Sequence, residues 1–510
     1  MIRLRCSKSL FRRWAPVLIA GLLAIQALPV GAQTASIRLA DRVKEHRLEN
    51  GLRLLMVERH AAPVVSLNIT YAVGGVNEHP GNTGIAHFYE HLAFKGTRTL
   101  GTHGFREEAV LLKQLDQAWA ALQAERDKGE DTDHNRLVAL EARFRDLERK
   151  CAERVVPNEV PELYERNGAA GLNATTSKDL TRYMVSLPSN RLELWAAIES
   201  DRMANSVIRE FYKEKDVVLE ERRLRYENSP SGRLYEAFLS TAFTAHPYGM
   251  PVIGWTRDLE RLSRPETEAF FKSYYGPQNA VIAIVGDIDV NKTVRMIETF
   301  FGRIPAQPHP PSVRAVEPPP PGERRVQVEF EAEPSLIIGY AVPSLNHPDD
   351  PVFDVIDGLL SDGRSSRLYR ALVQEQGLAA SVSTSSGVPG VKYPHQFMIQ
   401  AVPRAPHGTE DLERAIEVEL NRLKTEPAAP HDLQKVLNQL DAAQIRGLES
   451  NSGLASQLGY FETVAGDWRY ILKNRERVAH VTAGDVMRVA REYFVKNNRT
   501  VATLSRKKND

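Results

Sequence analysis

Cysteine is nearly absent: the 510 residues hold two, Cys6 and Cys151. Cys6 falls in a segment expected to be removed, so the mature chain has no second thiol for an intrachain disulfide. Its stability therefore has to come from a large core rather than from cross-links. An excess of one charge is also lacking, with 66 basic and 65 acidic residues and a formal net charge of +1. Nothing in that balance points to nucleic acid as a partner. No long apolar run occurs after residue 32, and 42% hydrophobic with 26% charged residues excludes a disordered or fibrous chain.

What is present begins with MIRLRCSKSLFRRW, which carries five basic residues and no acidic one. The apolar APVLIAGLLAIQALPV follows, then small residues up to Ala32. This is the layout of a secretory signal peptide, residues 1–32. The competing reading is a retained membrane anchor, for which the run is short. Arg12 and Arg13 lack the rest of a twin-arginine signal, and no cysteine at the cut marks a lipoprotein. Cleavage removes five positive charges and takes the formal charge from +1 to −4. A secreted chain without disulfides fits a bacterial periplasm, and no stable membrane insertion is expected after cleavage.

Residues 33–304 read as a first domain. NGLRLLMVER and APVVSLNITYAV have strand character, EHPGNTG is a turn and IAHFYEHLAF a helix. Within this domain, residues 105–156 carry their own periodicity. Leu111, Leu115, Ala118 and Leu122 form one apolar stripe; Leu137, Leu140, Phe144, Leu147 and Cys151 form another; DKGEDTDH separates them. The pattern predicts an antiparallel helical hairpin with solvated outer faces. On the stripe, Cys151 reads as packing rather than chemistry. RLELWAAIESDRMAN and FYKEKDVVLEERRLRYE predict two more helices. Residues 305–323, PAQPHPPSVRAVEPPPPGE, exclude helix and central strand and read as a linker of polyproline character. Residues 324–510 form a second domain.

The halves echo each other. ITYAVGGVNEHPG, with Tyr71, matches IGYAVPSLNHPDD, with Tyr340, at an offset of 269. YYGPQNAVIAIVGD, with Tyr275, matches YFVKNNRTVATL, with Phe494, at an offset of 219. The two offsets differ by 50, about the length of the hairpin. A duplicated domain with an insertion in the first copy accounts for both.

The chemistry centres on IAHFYEHLAFKG. His87, Glu90 and His91 share one face of a helix, because residues three and four apart do so. Two imidazoles a turn apart can hold one zinc, and the glutamate between them can take a proton from water. The bland alternative is two surface histidines beside a glutamate. A zinc site also needs a third ligand, which this motif does not contain.

With H-x-x-E-H in place, the mature chain resembles the inverted-zincin metallopeptidases, the family of pitrilysin, insulin-degrading enzyme and mitochondrial processing peptidase. The resemblance implies an α+β architecture of two homologous α/β-sandwich domains, the hairpin inserted in the first and the second inactive. Family members carry E-x-x-x-x-x-x-E on a later helix, with the last glutamate as third zinc ligand. In EKDVVLEE that residue is Glu221, with Glu214 orienting a ligating histidine; the adjacent Glu220 fits the register less well. The 130 residues from His91 to Glu221 exceed the family's spacing by about the hairpin's length. Asn173 and Ala174, in LNATTS, fall where the family offers a strand edge to extended substrate, although spacing alone equally allows Asn173 a turn role. The implied activity is a zinc-dependent endopeptidase: Zn2+ on His87, His91 and Glu221, with Glu90 as general base, acting on extended peptides or small unfolded proteins.

The chain departs from the family in its second half. At the offset of 269, His87, Glu90 and His91 correspond to Ile356, Leu359 and Leu360. Single-chain relatives use an arginine and a tyrosine to grip substrate and stabilise the reacting carbonyl. Here those positions are Val373 and Ala380, whose side chains cannot donate a hydrogen bond. A sister subunit carrying the pair is the favoured account, which makes this chain the catalytic half of a two-subunit enzyme. A homodimer with another donor, or a shifted register using Arg367, Tyr369 or Arg370, are the others. The alternative from a different class is a non-catalytic peptide-binding or assembly subunit. Such relatives lose the metal residues, whereas all four are present here.

Overall fold

The two echoing halves fold into two sheets with one strand order. The computed structural model describes residues 39–507, so the expected signal peptide and Cys6 lie outside the described residues. The first sheet contains β1 (Lys44–Arg47), β2 (Arg53–Glu58), β3 (Val64–Tyr71), β4 (Ala170–Thr176), β5 (Thr181–Pro188) and β6 (Ala280–Gly286). Its order is β1-β2-β6-β3-β5-β4. The second contains β7 (Arg324–Phe330), β8 (Ser335–Val342), β9 (Ala379–Val388), β10 (His395–Pro403) and β11 (Arg499–Arg506), in the order β7-β11-β8-β10-β9. Apart from β1, the orders correspond strand for strand. Each sheet has one parallel pair, β2 with β6 and β7 with β11.

Register repeats as well. Tyr71 faces Ala280 across β3 and β6, and Tyr340 faces Arg499 across β8 and β11. These positions differ by the same two offsets that relate the sequence echoes. Tyr71 packs on Tyr275 with ring centroids 4.9 Å apart, and Tyr340 on Phe494 at 5.0 Å. The chain is therefore two α/β domains, each built on a central mixed sheet flanked by helices.

Six helices position the chemistry or join the halves: α1 (Ile85–Leu92), α2 (Phe105–Arg126), α3 (His134–Ala152), α4 (Phe211–Arg222), α5 (Pro230–Ala242) and α6 (Asn451–Val464). As the periodicity predicts, α2 and α3 form an antiparallel hairpin, with Trp119 against Phe144 at 5.5 Å. Leu112 rather than Leu111 is the fully buried leucine at the start of the stripe; Leu111 sits at its border. Cys151 is buried in the seam, and burial pushes its thiol up to about 11, consistent with packing. The hairpin is anchored at its base by a fully buried ion pair, Arg209 to both oxygens of Glu108 at 2.6 and 3.0 Å. Residues 305–323 contain no helix or strand. Glu317 pins them by accepting the main-chain N–H groups of Thr244, Ala245 and His246 at 2.9–3.0 Å.

β3 and β6 are buried on both faces, as central strands must be if helices cover both sides. Val65, Leu67, Ile69, Ile282 and Ile284 meet α1 and its neighbours in the first core. The opposite face is covered by α6, which comes from the second half of the chain. It approaches closely because it is lined with small residues: a side chain at Gly459 would lie 2.6 Å from the Thr70 hydroxyl. The exchange is mutual. α5, from the first half, lies across β7, β8 and β11, where Leu234, Phe238, Leu239 and Ala242 meet Ile337, Ala502 and Leu504. Gly339 of β8 makes room for the Phe238 ring, which a Cβ there would approach to 2.3 Å. Asp179 adds a polar knot, accepting from the Tyr248 hydroxyl and from the N–H groups of Val391 (2.9 Å) and Lys392 (3.2 Å).

Among the described residues no helix is long and apolar enough to cross a membrane. Phe238 is completely buried where the halves exchange helices. Phe238→Ala is expected to destabilise the protein by about 3–5 kcal/mol, read as a lowered midpoint in a denaturant titration.

Candidate metal centre

α1 is held at its start by contacts that leave no freedom to its first turn. Gly84 and Gly254 both adopt positive φ, +88° and +86°, and meet backbone to backbone. A Cβ on Gly84 would stand 2.4 Å from the Ile253 carbonyl oxygen. Glu78 accepts the free N–H groups of Gly84 (2.8 Å) and Ala86 (2.9 Å), satisfying donors that a helix start leaves unpaired. Ile85, Phe88, Tyr89 and Leu92 face the core. That leaves His87, Glu90 and His91 on the other face, as the i, i+3, i+4 spacing predicts.

The second element is α4. Glu214 and Glu221 lie seven residues, two turns, apart and so project from the same side. The helix continues past Glu221 into a π-helical turn, Arg223–Glu227.

Where α1 and α4 meet, His87, His91 and Glu221 each bring one ligand atom, all within 4.8 Å of one another. Glu221 Oε2 stands 3.7 Å from His87 Nε2 and 3.5 Å from His91 Nε2. These gaps are longer than hydrogen bonds, and Oε2 is buried with no hydrogen-bond partner. Two ligands at about 2.0–2.1 Å in tetrahedral arrangement on one ion stand about 3.4 Å apart, so the spacing and the donor set suit a metal. The three side chains are 13%, 23% and 17% exposed, which shields the cluster while leaving it reachable. They form a candidate metal-binding cluster.

The surroundings hold these atoms in place. Glu214 Oε1 binds His91 Nδ1 at 3.1 Å, which turns Nε2 toward Glu221. Lys95 Nζ binds the other oxygen of Glu214 at 2.7 Å and Glu210 at 3.2 Å. Arg225 binds Glu221 Oε1 at 3.0 Å, leaving Oε2 for the cluster. Burial, reinforced by the neighbouring His91, pushes His87 down to about 4. Burial also opposes charge on His91, but the Glu214 and Glu221 carboxylates outweigh it and lift that imidazole to about 9.

Glu90 is not one of the converging ligands. Its Oε2 accepts the Thr176 hydroxyl at 2.5 Å, and burial raises its carboxyl above the usual range. Thr176 ends β4, the outermost strand of its sheet. Asn173 and Ala174 sit on the same strand, paired on one side with Met184 and Tyr183 of β5.

The second-half positions take no part in this cluster. Ile356, Leu359 and Leu360 are buried in the second core. Val373 packs against that core in the turn Tyr369–Glu375, and Ala380 is exposed on β9. Tyr369 packs there too, while Arg370 pairs with Glu375 at 3.5 Å.

Lys95, Thr176 and Arg225 went unread in the sequence. Arg225 stands four residues after Glu221, so helical spacing could have flagged it, whereas Lys95 lies beyond the end of α1 and had no such signal. Thr176 had no local signal, since its partner lies 86 residues away.

Comparison with known proteins agrees with this geometry. The model for Insulinase (Peptidase family M16) matches residues 53–112, and that for the Peptidase M16 inactive domain matches residues 261–440. Zinc protease PqqE of Helicobacter pylori is 26% identical, covering 95% of this chain and 97% of that protein. A protease of known structure from Helicobacter pylori superposes with a TM-score of 0.76 at 26% identity, over 91% of this chain and 99% of that one. The periplasmic protease PqqL from Escherichia coli, 16% identical, shares the fold at a TM-score of 0.67, over 91% of this chain and 48% of that one. A repeated sheet, a His-His-Glu cluster on two helices and family matches in both halves lead to one conclusion: this chain matches peptidase family M16, the pitrilysin and insulinase family of zinc metallopeptidases.

Proposed function

We propose that this chain is a zinc-dependent endopeptidase that hydrolyses extended peptides or small unfolded proteins. One observation carries the reading: His87 Nε2, His91 Nε2 and Glu221 Oε2 converge, while the nearby carboxylate of Glu90 stays outside the set. His87, His91 and Glu221 would hold Zn2+, which would supply Lewis acidity to the scissile carbonyl and to water. Glu90 accepts a proton from the attacking water and returns it to the amine nitrogen as the peptide C–N bond breaks. Its raised carboxyl suits a group that must hold a proton between two transfers. Glu214 orients His91, and Arg225 orients Glu221.

β4 presents the free edge of its sheet, with Asn173 and Ala174 midway along it. An extended chain can add there as a further strand, which a folded protein cannot do without unfolding. In this reading residues 1–32 are the signal peptide, 33–304 the zinc-binding domain with its insert at 105–156, 305–323 the linker, and 324–510 the inactive domain. The leader and the fold shared with a periplasmic protease support a periplasmic location. Val373 and Ala380 offer no donor to a developing oxyanion, whose loss costs about 2.7–4 kcal/mol in comparable sites. This supports a sister subunit that carries the missing arginine and tyrosine.

Three outcomes test the reading. Glu90→Gln is expected to retain stoichiometric zinc while kcat falls by about 10²–10⁴; wild-type protein that binds no zinc overturns the site. The metal-free protein carries a proton on His91 at neutral pH, because that group is lifted to about 9, whereas His87, pushed to about 4, is already neutral. Zinc binding at pH 7 therefore releases close to one proton, and affinity climbs about tenfold per pH unit up to the His91 value. Calorimetry in buffers of different ionisation enthalpy counts that proton. Finally, peptide hydrolysis should rise when the sister chain is added, and equal rates with and without it refute the two-subunit arrangement.

A further inference from the structure

Thr176 belongs to two structures at once. It is the last residue of β4, the free edge of the first sheet, and its side chain reaches Glu90 on α1. The direction of its hydroxyl bond is set by its neighbour across the strand pair. Thr181 faces Thr176 in the register of β4 and β5, with the two hydroxyl oxygens 3.3 Å apart. Thr181 commits its own proton to the Val73 carbonyl oxygen at 2.9 Å, and its oxygen is approached by the Tyr275 hydroxyl at 3.5 Å. Its proton is thus not available to Thr176, and the Thr176 proton goes to Glu90. That single short bond ties Glu90 Oε2 to the end of β4.

We propose that Thr176 is a positioning residue that couples occupancy of the β4 edge to the aim of Glu90. An extended peptide paired along β4 orders that strand's backbone, and with it the residue that holds the carboxylate. Hydrolysis then runs fastest on substrates long enough to lie along the edge. The inference rests on the proposed function, in which Glu90 moves the proton and β4 receives the peptide.

The test compares Thr176→Val, which keeps the shape and removes the donor, with Thr176→Ser, which restores the donor. On a peptide long enough to pair with β4, Thr176→Val is expected to lower kcat by about tenfold to a hundredfold, the scale of a misaimed catalytic group. KM should change little, because the lost bond aids proton transfer rather than binding. Thr176→Ser should recover most of the rate. On a peptide too short to reach along the edge, the Val variant should lose less. Two readouts are independent of turnover: zinc stoichiometry, and the affinity for the long peptide measured in a Glu90→Gln background. Both should be the same with Thr or Val at 176. Wild-type kcat in Thr176→Val overturns the proposal, as do equal losses on long and short peptides, or a Val variant that has lost zinc and is not rescued by Ser. If wild-type protein binds zinc and cleaves peptide while Thr176→Val behaves normally, only the coupling fails. If wild-type protein does neither, the proposed function fails first.

Discussion

A row of alternating charge runs from Glu210 through Lys95, Glu214, His91 and Glu221 to Arg225. As far as Glu221 the row alternates between the segment that follows Gly84, which supplies Lys95 and His91, and the segment from Glu210 onward; Arg225 closes it from the same side as Glu221. It brings together residues more than 120 positions apart. The inner members, Lys95, Glu214, His91 and Glu221, are largely buried and lose hydration that their neighbours in the row compensate, so removing one of them weakens the next. This constraint makes the docking of α1 on α4 specific rather than merely apolar. It also explains how a hairpin can be inserted between them. The Arg209–Glu108 pair roots the hairpin beside the row, and Glu210, the next residue, is the row's first member.

The two halves share strand order, register and even a ring contact, yet only one carries the cluster. In the first half, α1 turns two imidazoles and a carboxylate away from the core. In the second, the corresponding residues are Ile356, Leu359 and Leu360, all buried. Each such side chain contributes about 1.5–3 kcal/mol by leaving water. The duplicated scaffold carries the candidate metal cluster in one copy and apolar packing in the other, and the exchange of α5 and α6 links the two.

Much of this was legible in the sequence, for a physical reason: the legible features are local. His87, Glu90 and His91 lie within two turns of one helix, and Glu214 and Glu221 within two turns of another. The hairpin shows because its stripes repeat at helical spacing; only the edge of the stripe, Leu112 in place of Leu111, differed. The duplication shows because β3 and β8, and β6 and β11, solve the same packing problem with similar residues. The exchange of helices was not legible. An amphipathic pattern shows that a helix has a buried face, but not which sheet that face covers. The small residues of α6 become meaningful only beside Asn68 and Thr70. Likewise, the composition of residues 305–323 ruled out helix correctly, but nothing in it marked Glu317 as the carboxylate that three main-chain N–H groups would hold.

The exchange has a consequence for how the chain is made. During synthesis from the N-terminus, β3 and β6 pair long before α6 exists, since the residues that cover their second face begin at Asn451. Until then a central sheet has one bare side, and α5 has no sheet of its own to lie on. The first half cannot reach its final packing as an autonomous unit. The nascent chain lacks the final cover of that face until residues 451–464 have been made. Burial of the first sheet's second face waits on the second half of the chain.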